Sequence, residues 1–178
     1  EEVLRECYVD VIGQSIFWNQ MKKDSADAFG GDRNVHVGTA FITRLQEART
    51  QGLELEKIFL VGHSTGGVYI SHFLDAVDDM GLDPSIQFDV VLLAPANDHT
   101  LFSRTIARRA GRIRSLRMFG MKDELEHEDG LLGDDWKRIF YPSSLLYFVS
   151  GLLEANPDTP IVGMKRVLDH GGLFTAPD

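Results

Sequence analysis

The sequence contains a single cysteine, Cys7, in 178 residues. One thiol cannot close an internal disulfide, so nothing in the chain marks an oxidising compartment, and a cytoplasmic location is expected. Basic residues are also scarce. Lys and Arg number 18 against 27 Asp and Glu, a net charge of −9. A protein that holds nucleic acid through its phosphate backbone is normally basic, so that class is excluded. An anionic membrane surface is a poor partner for the same reason. No apolar run approaches the ~20 residues of a membrane-spanning helix. Internal repeats and low-complexity tracts are absent. The sequence opens at Glu1 rather than methionine and reads as a fragment or a processed product, with any signal segment out of view.

What is present is an ordinary globular composition, 43% hydrophobic and 25% charged. The length suits one domain. Its first part, 1–38, reads as a helical and loop lead-in, and 39–178 as the core. Within the lead-in, "QSIFWNQMKKDSADAF" spaces Phe17, Met21 and Ala28 as a helix would. Gly30, Gly31, Asp32 and Gly38 then supply loop chemistry. In "TAFITRLQEARTQG", Phe41, Ile42, Leu45 and Ala48 follow helical spacing, with Thr39 as the expected cap and Gly52 at the stop.

"KIFLVG" and "FDVVLLAPA" are short continuous apolar runs. The absence of alternation suits strands buried on both faces, as in a parallel sheet. "SLRMFG" is a third strand, and "TPIVGMKRVL" is the last strand expected. Helices are expected between them, over "VYISHFLDAV", "HTLFSRTIARRAGR" and "SSLLYFVSGLLE", the last capped by Ser143. Arg108, Arg109 and Arg112 read as a solvated basic end near a helix C-terminus. Alternating strands and helices imply an α/β domain: a mostly parallel sheet with helices on both faces.

Gly62-His63-Ser64-Thr65-Gly66 fits G-x-S-x-G between an expected strand and an expected helix. That context is the one a nucleophile elbow requires. The turn is so tight that side chains two positions either side of the serine would strike neighbouring backbone, and Gly62 and Gly66 remove both collisions. Gly67 lets the helix pack close. The N–H of Thr65, at the helix start, points at a developing oxyanion. A phosphate loop fits less well, because the Walker A lysine and G-x-G-x-x-G are both missing.

A serine nucleophile needs a base, and the base an orienting acid, in the chain order Ser, acid, His. His36 precedes Ser64, His63 is within the elbow, and His72 lies two turns down the following helix. His99 and His127 follow strands but come early. His170 follows the last expected strand in a glycine-flanked loop and is the expected base. Asp123, in "GMKDE" after a strand, is the expected acid. Asp98, after "LLAPAN", is the alternative acid, with Glu124 and Asp129 behind it.

Together "IFLVGHSTGG", "VVLLAPA", "MFGMKDE" and "DHGG" resemble the second half of an α/β-hydrolase-fold protein, over roughly residues 39 to 172. The resemblance implies Ser64 as nucleophile, Asp123 as acid, His170 as base and Thr65 as one oxyanion donor. It implies no metal and no organic cofactor. The family mostly hydrolyses carboxylic esters; thioesterases, amidases, lipases and acyltransferases are relatives. The chain departs upstream: the strands that precede the elbow strand in the family, and the loop giving a second oxyanion donor, have no counterpart in about 57 residues of helix and loop. The sheet is therefore expected to be partial or reduced, with one raw edge. His170-Gly171-Gly172 resembles an oxyanion loop, which would require a permuted chain.

The acidic stretch from Asp123 to Asp135 matches no EF-hand or zinc spacing and reads as a solvated loop. "FWNQM" and "SSLLYFVSGLL" read as core packing or a lid over an acyl pocket. The expected activity is hydrolysis of a small acyl ester through an acyl-enzyme. The rivals are a non-catalytic binding module of the same fold, and an acyltransferase, thioesterase or amidase built on the same three residues.

Overall fold

A computed structural model describes residues 2–54, 57–128 and 143–169. It opens with α1 (Glu2–Asp27) and α2 (Val37–Thr50), followed by β1 (Ile58–His63), α3 (Thr65–Asp79) and β2 (Phe88–Leu93). Then come α4 (His99–Phe102), a π-helical turn over Ser103–Ala107, a 3-10 turn over Ala110–Arg112 and β3 (Ile113–Phe119). The remaining elements are α5 (Asp123–Glu128), α6 (Leu145–Phe148), a second π-helical turn over Val149–Leu153, and α7 (Lys165–Asp169).

The three apolar runs form one parallel sheet in the order β1-β2-β3. Leu60 pairs with Val90, and Val90 with Leu116. This α/β arrangement follows from the sequence: parallel neighbours need a crossover, and α3 supplies it between β1 and β2. Ile70, Phe73, Leu74 and Val77 recur on α3 at helical spacing, and all are buried with Phe88, Val90 and Leu92 in one cluster. Each such side chain contributes about 1.5–3 kcal/mol by leaving water. The Phe73 and Phe88 rings meet edge to face, with centroids 5.2 Å apart.

The opposite face is open. Pairing puts Phe59 and Val61 on the same side as Leu93 and Phe119, because each strand alternates and the register is in step from Asp89 onward. Phe59, Val61 and Phe119 are each more than half exposed. Helices on both faces were expected from the apolar runs, but the described residues leave this side uncovered. Among the described residues β1 is an edge strand, as a reduced sheet requires.

A second apolar cluster gathers Trp18, Leu146, Tyr147, Phe148, Leu153, Ile161 and Met164. The Trp18 indole N–H donates to Glu154 at 2.9 Å, and Lys22 pairs with the same carboxylate at 2.8 Å, which pins α1 to the end of the second π turn.

Several local expectations are corrected. His36, not Thr39, stands at the cap of α2. Thr39 lies inside that helix, and its hydroxyl donates to the Gly30 carbonyl. Gly52 does follow the helix end, at φ 90°. The single helix expected over 99–112 is broken into three short turns. "TPIVGMKRVL" forms no strand: Ile161 makes one isolated antiparallel bridge to Asp98, and Lys165–Asp169 is helical. Its buried apolar residues sit on irregular backbone whose N–H groups bond to the segment after β2, Val162 to Asn97 O and Gly163 to Pro95 O, both at 2.9 Å. A run of apolar residues between proline and glycine satisfies burial either way, so composition could not tell the two apart.

The basic end at 108–112 is not simply solvated. Arg112 is buried, and its guanidinium donates to Asp78 Oδ1 at 2.6 Å, Asp83 O at 2.8 Å and Leu82 O at 2.8 Å. Arg109 pairs with Asp75 at 2.5 Å and Asp78 at 3.1 Å. The two arginines clamp the C-terminal end of α3, where carbonyls lack helical partners. Arg112→Ala is expected to cost about 2–3 kcal/mol, because it strands two buried carbonyls and takes one of two arginines from the Asp78 carboxylate. Urea denaturation measures this, and Arg112→Lys should recover only part of it, since an ammonium cannot reproduce the three-way fork.

Candidate active site

The site is built at the carboxyl ends of β1 and β2. Ser64 closes β1 at φ 53° and ψ −117°, a conformation that non-glycine residues seldom adopt. Such a residue costs of order 1–3 kcal/mol and persists only where its surroundings fix it. Here the backbone does so. The Ser64 N–H donates to Leu93 O at 3.0 Å, while Ser64 O accepts from Gly67 N at 3.0 Å and from Ala96 N at 3.1 Å. Ala94, at the end of β2, is also left-handed, at φ 42°.

The glycines of the motif play different parts. A methyl on Gly62 would stand 2.7 Å from the carbonyl carbon and oxygen of Gly66 and 2.8 Å from Ile70 Cδ1. A methyl on Gly66 would meet nothing within 4 Å. The steric reason expected for both glycines therefore holds at Gly62 alone. Gly67 packs against the loop after β2, and a methyl there would strike Asn97 Oδ1 and lie 2.9 Å from Pro95 Cβ. Thr65 is the first residue of α3, so its N–H has no acceptor within the helix.

Ser64 lines a cleft of about 160 Å³ together with His63, Ala94, Met121, Glu126, Ser144, Leu145 and Leu146. The cleft brings the elbow against the start of α6 and the inner face of α5. Asp123, the expected acid, opens α5 and is not in the cleft lining among the described residues. Its Oδ1 accepts the Tyr147 hydroxyl at 2.6 Å, and its Oδ2 lies 3.7 Å from His127 Nε2. Burial, and donation to Asp123, push the Tyr147 phenol up to about 12. Arg166 stacks on that ring at 4.5 Å.

Asp98, the alternative acid, caps α4 by accepting the Leu101 N–H at 2.8 Å. The expected base His170, together with Asp129, Gly171 and Gly172, lies outside the described residues. His72 is half-buried in α3, and burial lowers its pKa.

Glu126 is the residue that the sequence concealed. The stretch from Asp123 was expected to be a solvated loop, yet 123–128 is helical and Glu126 is fully buried. Neither carboxyl oxygen has a hydrogen-bond partner among the described residues. Burial, with the Asp123 charge beside it, pushes its carboxyl up to about 7, against a smaller opposing pull from Arg166. Ser144 N donates to the Glu126 carbonyl at 2.7 Å, so the start of α6 holds this turn in place. The one available signal was the spacing of Asp123 and Glu126, three apart and hence on one helical face.

Among the described residues, no group of three or more His, Cys, Asp or Glu side chains could hold a metal ion. No helix there is long and apolar enough to cross a membrane. Comparison with protein-family models, with curated proteins and with solved structures finds no significant match.

Proposed function

We propose that the chain is a serine hydrolase of the α/β-hydrolase type that cleaves a carboxylic ester or a related acyl substrate. The observation that supports this most is Ser64 itself. A strained serine, held by three backbone bonds at the end of a parallel strand and the start of a helix, opens onto a cleft. A plain strand-helix turn has no use for that strain.

On this reading Ser64 Oγ attacks the substrate carbonyl carbon and passes its proton to the imidazole of His170. The tetrahedral oxyanion takes a hydrogen bond from the Thr65 N–H. Collapse breaks the ester C–O bond, and the proton goes to the leaving alcohol. Water then attacks the acyl-enzyme, assisted by the same imidazole, and releases the acid. A carboxylate holds the imidazole in the required tautomer. The same chemistry with another acceptor in place of water would be acyl transfer.

The test is a fluorophosphonate probe on the folded chain, read by intact mass. One adduct is expected on the parent chain and none on Ser64→Ala. A folded parent chain that takes no label, or an adduct that survives Ser64→Ala, would overturn the proposal in favour of a non-catalytic module.

A further inference from the structure

We propose that the cleft on Ser64 is an acyl pocket for short, uncharged aliphatic chains, with Leu145 at its mouth and Leu146 at its floor. The inference rests on the reading of Ser64 as a nucleophile and names the substrate class of that same site.

The lining sorts by depth. His63, Met121 and Leu145 are exposed and stand at the mouth, whereas Glu126, Ser144 and Leu146 are buried and close the inner end. A cleft shut at its inner end suits the acyl half of an ester. When Ser64 Oγ bonds to the carbonyl carbon, the ester C–O bond breaks and the alcohol leaves with a proton, while the acyl group stays on the serine. An alcohol held at the inner end would be trapped behind that acyl group. The alcohol therefore belongs on the solvent side.

Volume sets the length of the chain. An apolar cavity of about 150 Å³ takes up one benzene molecule, so a cleft of about 160 Å³ holds about six carbons. Sites for larger ligands begin at roughly 300 Å³. The apolar walls that such a chain meets are Ala94, Met121, Leu145 and Leu146. The lining includes the carboxyl of Glu126 and no lysine or arginine. An anionic acyl chain would find no counter-charge there, and burying a charge unpaired is costly.

The floor is fixed in place. Ser144 caps α6, and its N–H donates to the Glu126 carbonyl at 2.7 Å. Leu145 and Leu146 are the first two residues of that helix. Leu146 packs into the cluster of Trp18, Tyr147, Phe148 and Ile161, and Ala94 packs against the same cluster. Interiors are close-packed, so Leu146 cannot make room for a longer chain without opening that cluster. The start of "SSLLYFVSGLL" thus serves both the core and the pocket.

The experiment uses the full chain with p-nitrophenyl acetate, butyrate, hexanoate, decanoate and succinate. The parent must first take the fluorophosphonate label and lose it in Ser64→Ala; failure at that stage overturns the nucleophile and the pocket together. With the label in place, kcat/KM should be highest at butyrate or hexanoate and at least about 100-fold lower at decanoate. Succinate, as long as butyrate but anionic, should be at least about tenfold poorer than butyrate. Ethyl and octyl acetate, which differ only in the alcohol, should agree within about tenfold. Leu146→Ala deepens the pocket and should raise the decanoate-to-butyrate ratio by about tenfold or more. Leu145→Trp narrows the mouth from an exposed position and should lower the hexanoate-to-acetate ratio by about as much. Circular dichroism checks each variant, and where Leu146→Ala does not fold, Leu145→Trp decides. Decanoate cleaved as well as butyrate, succinate cleaved as well as butyrate, discrimination by alcohol length instead of acyl length, or ratios unmoved in the folded variants would each overturn the pocket while leaving the nucleophile standing.

Discussion

Gly62→Ala is expected to destabilise the chain by about 3 kcal/mol, while Gly66→Ala stabilises it by about 0.5–1 kcal/mol. Both glycines belong to the same motif, two residues either side of Ser64. The difference is entirely local. The added methyl of Gly62→Ala meets the Gly66 carbonyl carbon and oxygen at 2.7 Å, and backbone cannot swing aside as a side chain does. The neighbour it would displace is the first turn of α3, so the strained φ of Ser64 is disturbed as well. The methyl of Gly66→Ala meets nothing within 4 Å, and the residue is inside a helix. There alanine gains from a smaller loss of chain entropy on folding. Thermal or urea unfolding of the two variants gives both signs in one experiment. If Gly62→Ala proved as benign as Gly66→Ala, the close approach at the elbow would be wrong.

The second large effect concerns Glu126 and pH. Its carboxyl is raised from 4.5 to about 7 in the folded chain. Below pH 4.5 both folded and unfolded chains hold the proton, and the group is neutral to stability. Between about 4.5 and 7 the unfolded chain releases it while the folded chain does not. Stability therefore falls as pH rises through that window, and above about 7 the full penalty stands. The shift corresponds to about 3 kcal/mol at pH 8. Glu126→Gln removes the ionisation and should be more stable than the parent by about that much more at pH 8 than at pH 4. The comparison between the two pH values cancels whatever the buried amide costs, since that cost does not titrate. The charges facing the site are Asp123 on the same helix and Arg166 on α7, and both are retained in the variant. A difference between parent and variant that does not change with pH would show that Glu126 is not a raised acid.

How much of this was readable in the sequence depends on which force dominates each segment. β1, β2 and β3 are short apolar runs, and burial on a parallel sheet is the simplest use of such runs. The elbow was legible because its glycines and serine stand at fixed offsets between two such patterns. Glu126 was not. "DELEHE" holds only six residues, too few for periodicity to separate an inward carboxylate from its solvated neighbours. Arg112 was hidden for a related reason: its role depends on carbonyls at Leu82 and Asp83, about thirty residues away in sequence. The missing fourth strand shows the converse. Ile161, Val162 and Met164 are fully buried, as a strand would bury them, but their backbone serves the loop after β2.

That loop bears on what kinds of change the site can absorb. Ser64 O accepts from Ala96 N, Pro95 O accepts from Gly163 N, and Asn97 O accepts from Val162 N. A methyl on Gly163 would stand 2.5 Å from Pro95 O, so the two backbones touch. The serine and the segment leading into α7 are thus spaced through peptide groups, with few side chains between them. A single inserted or deleted residue along 94–98 moves every one of these bonds out of step at once. The stretch should therefore hold its length fixed.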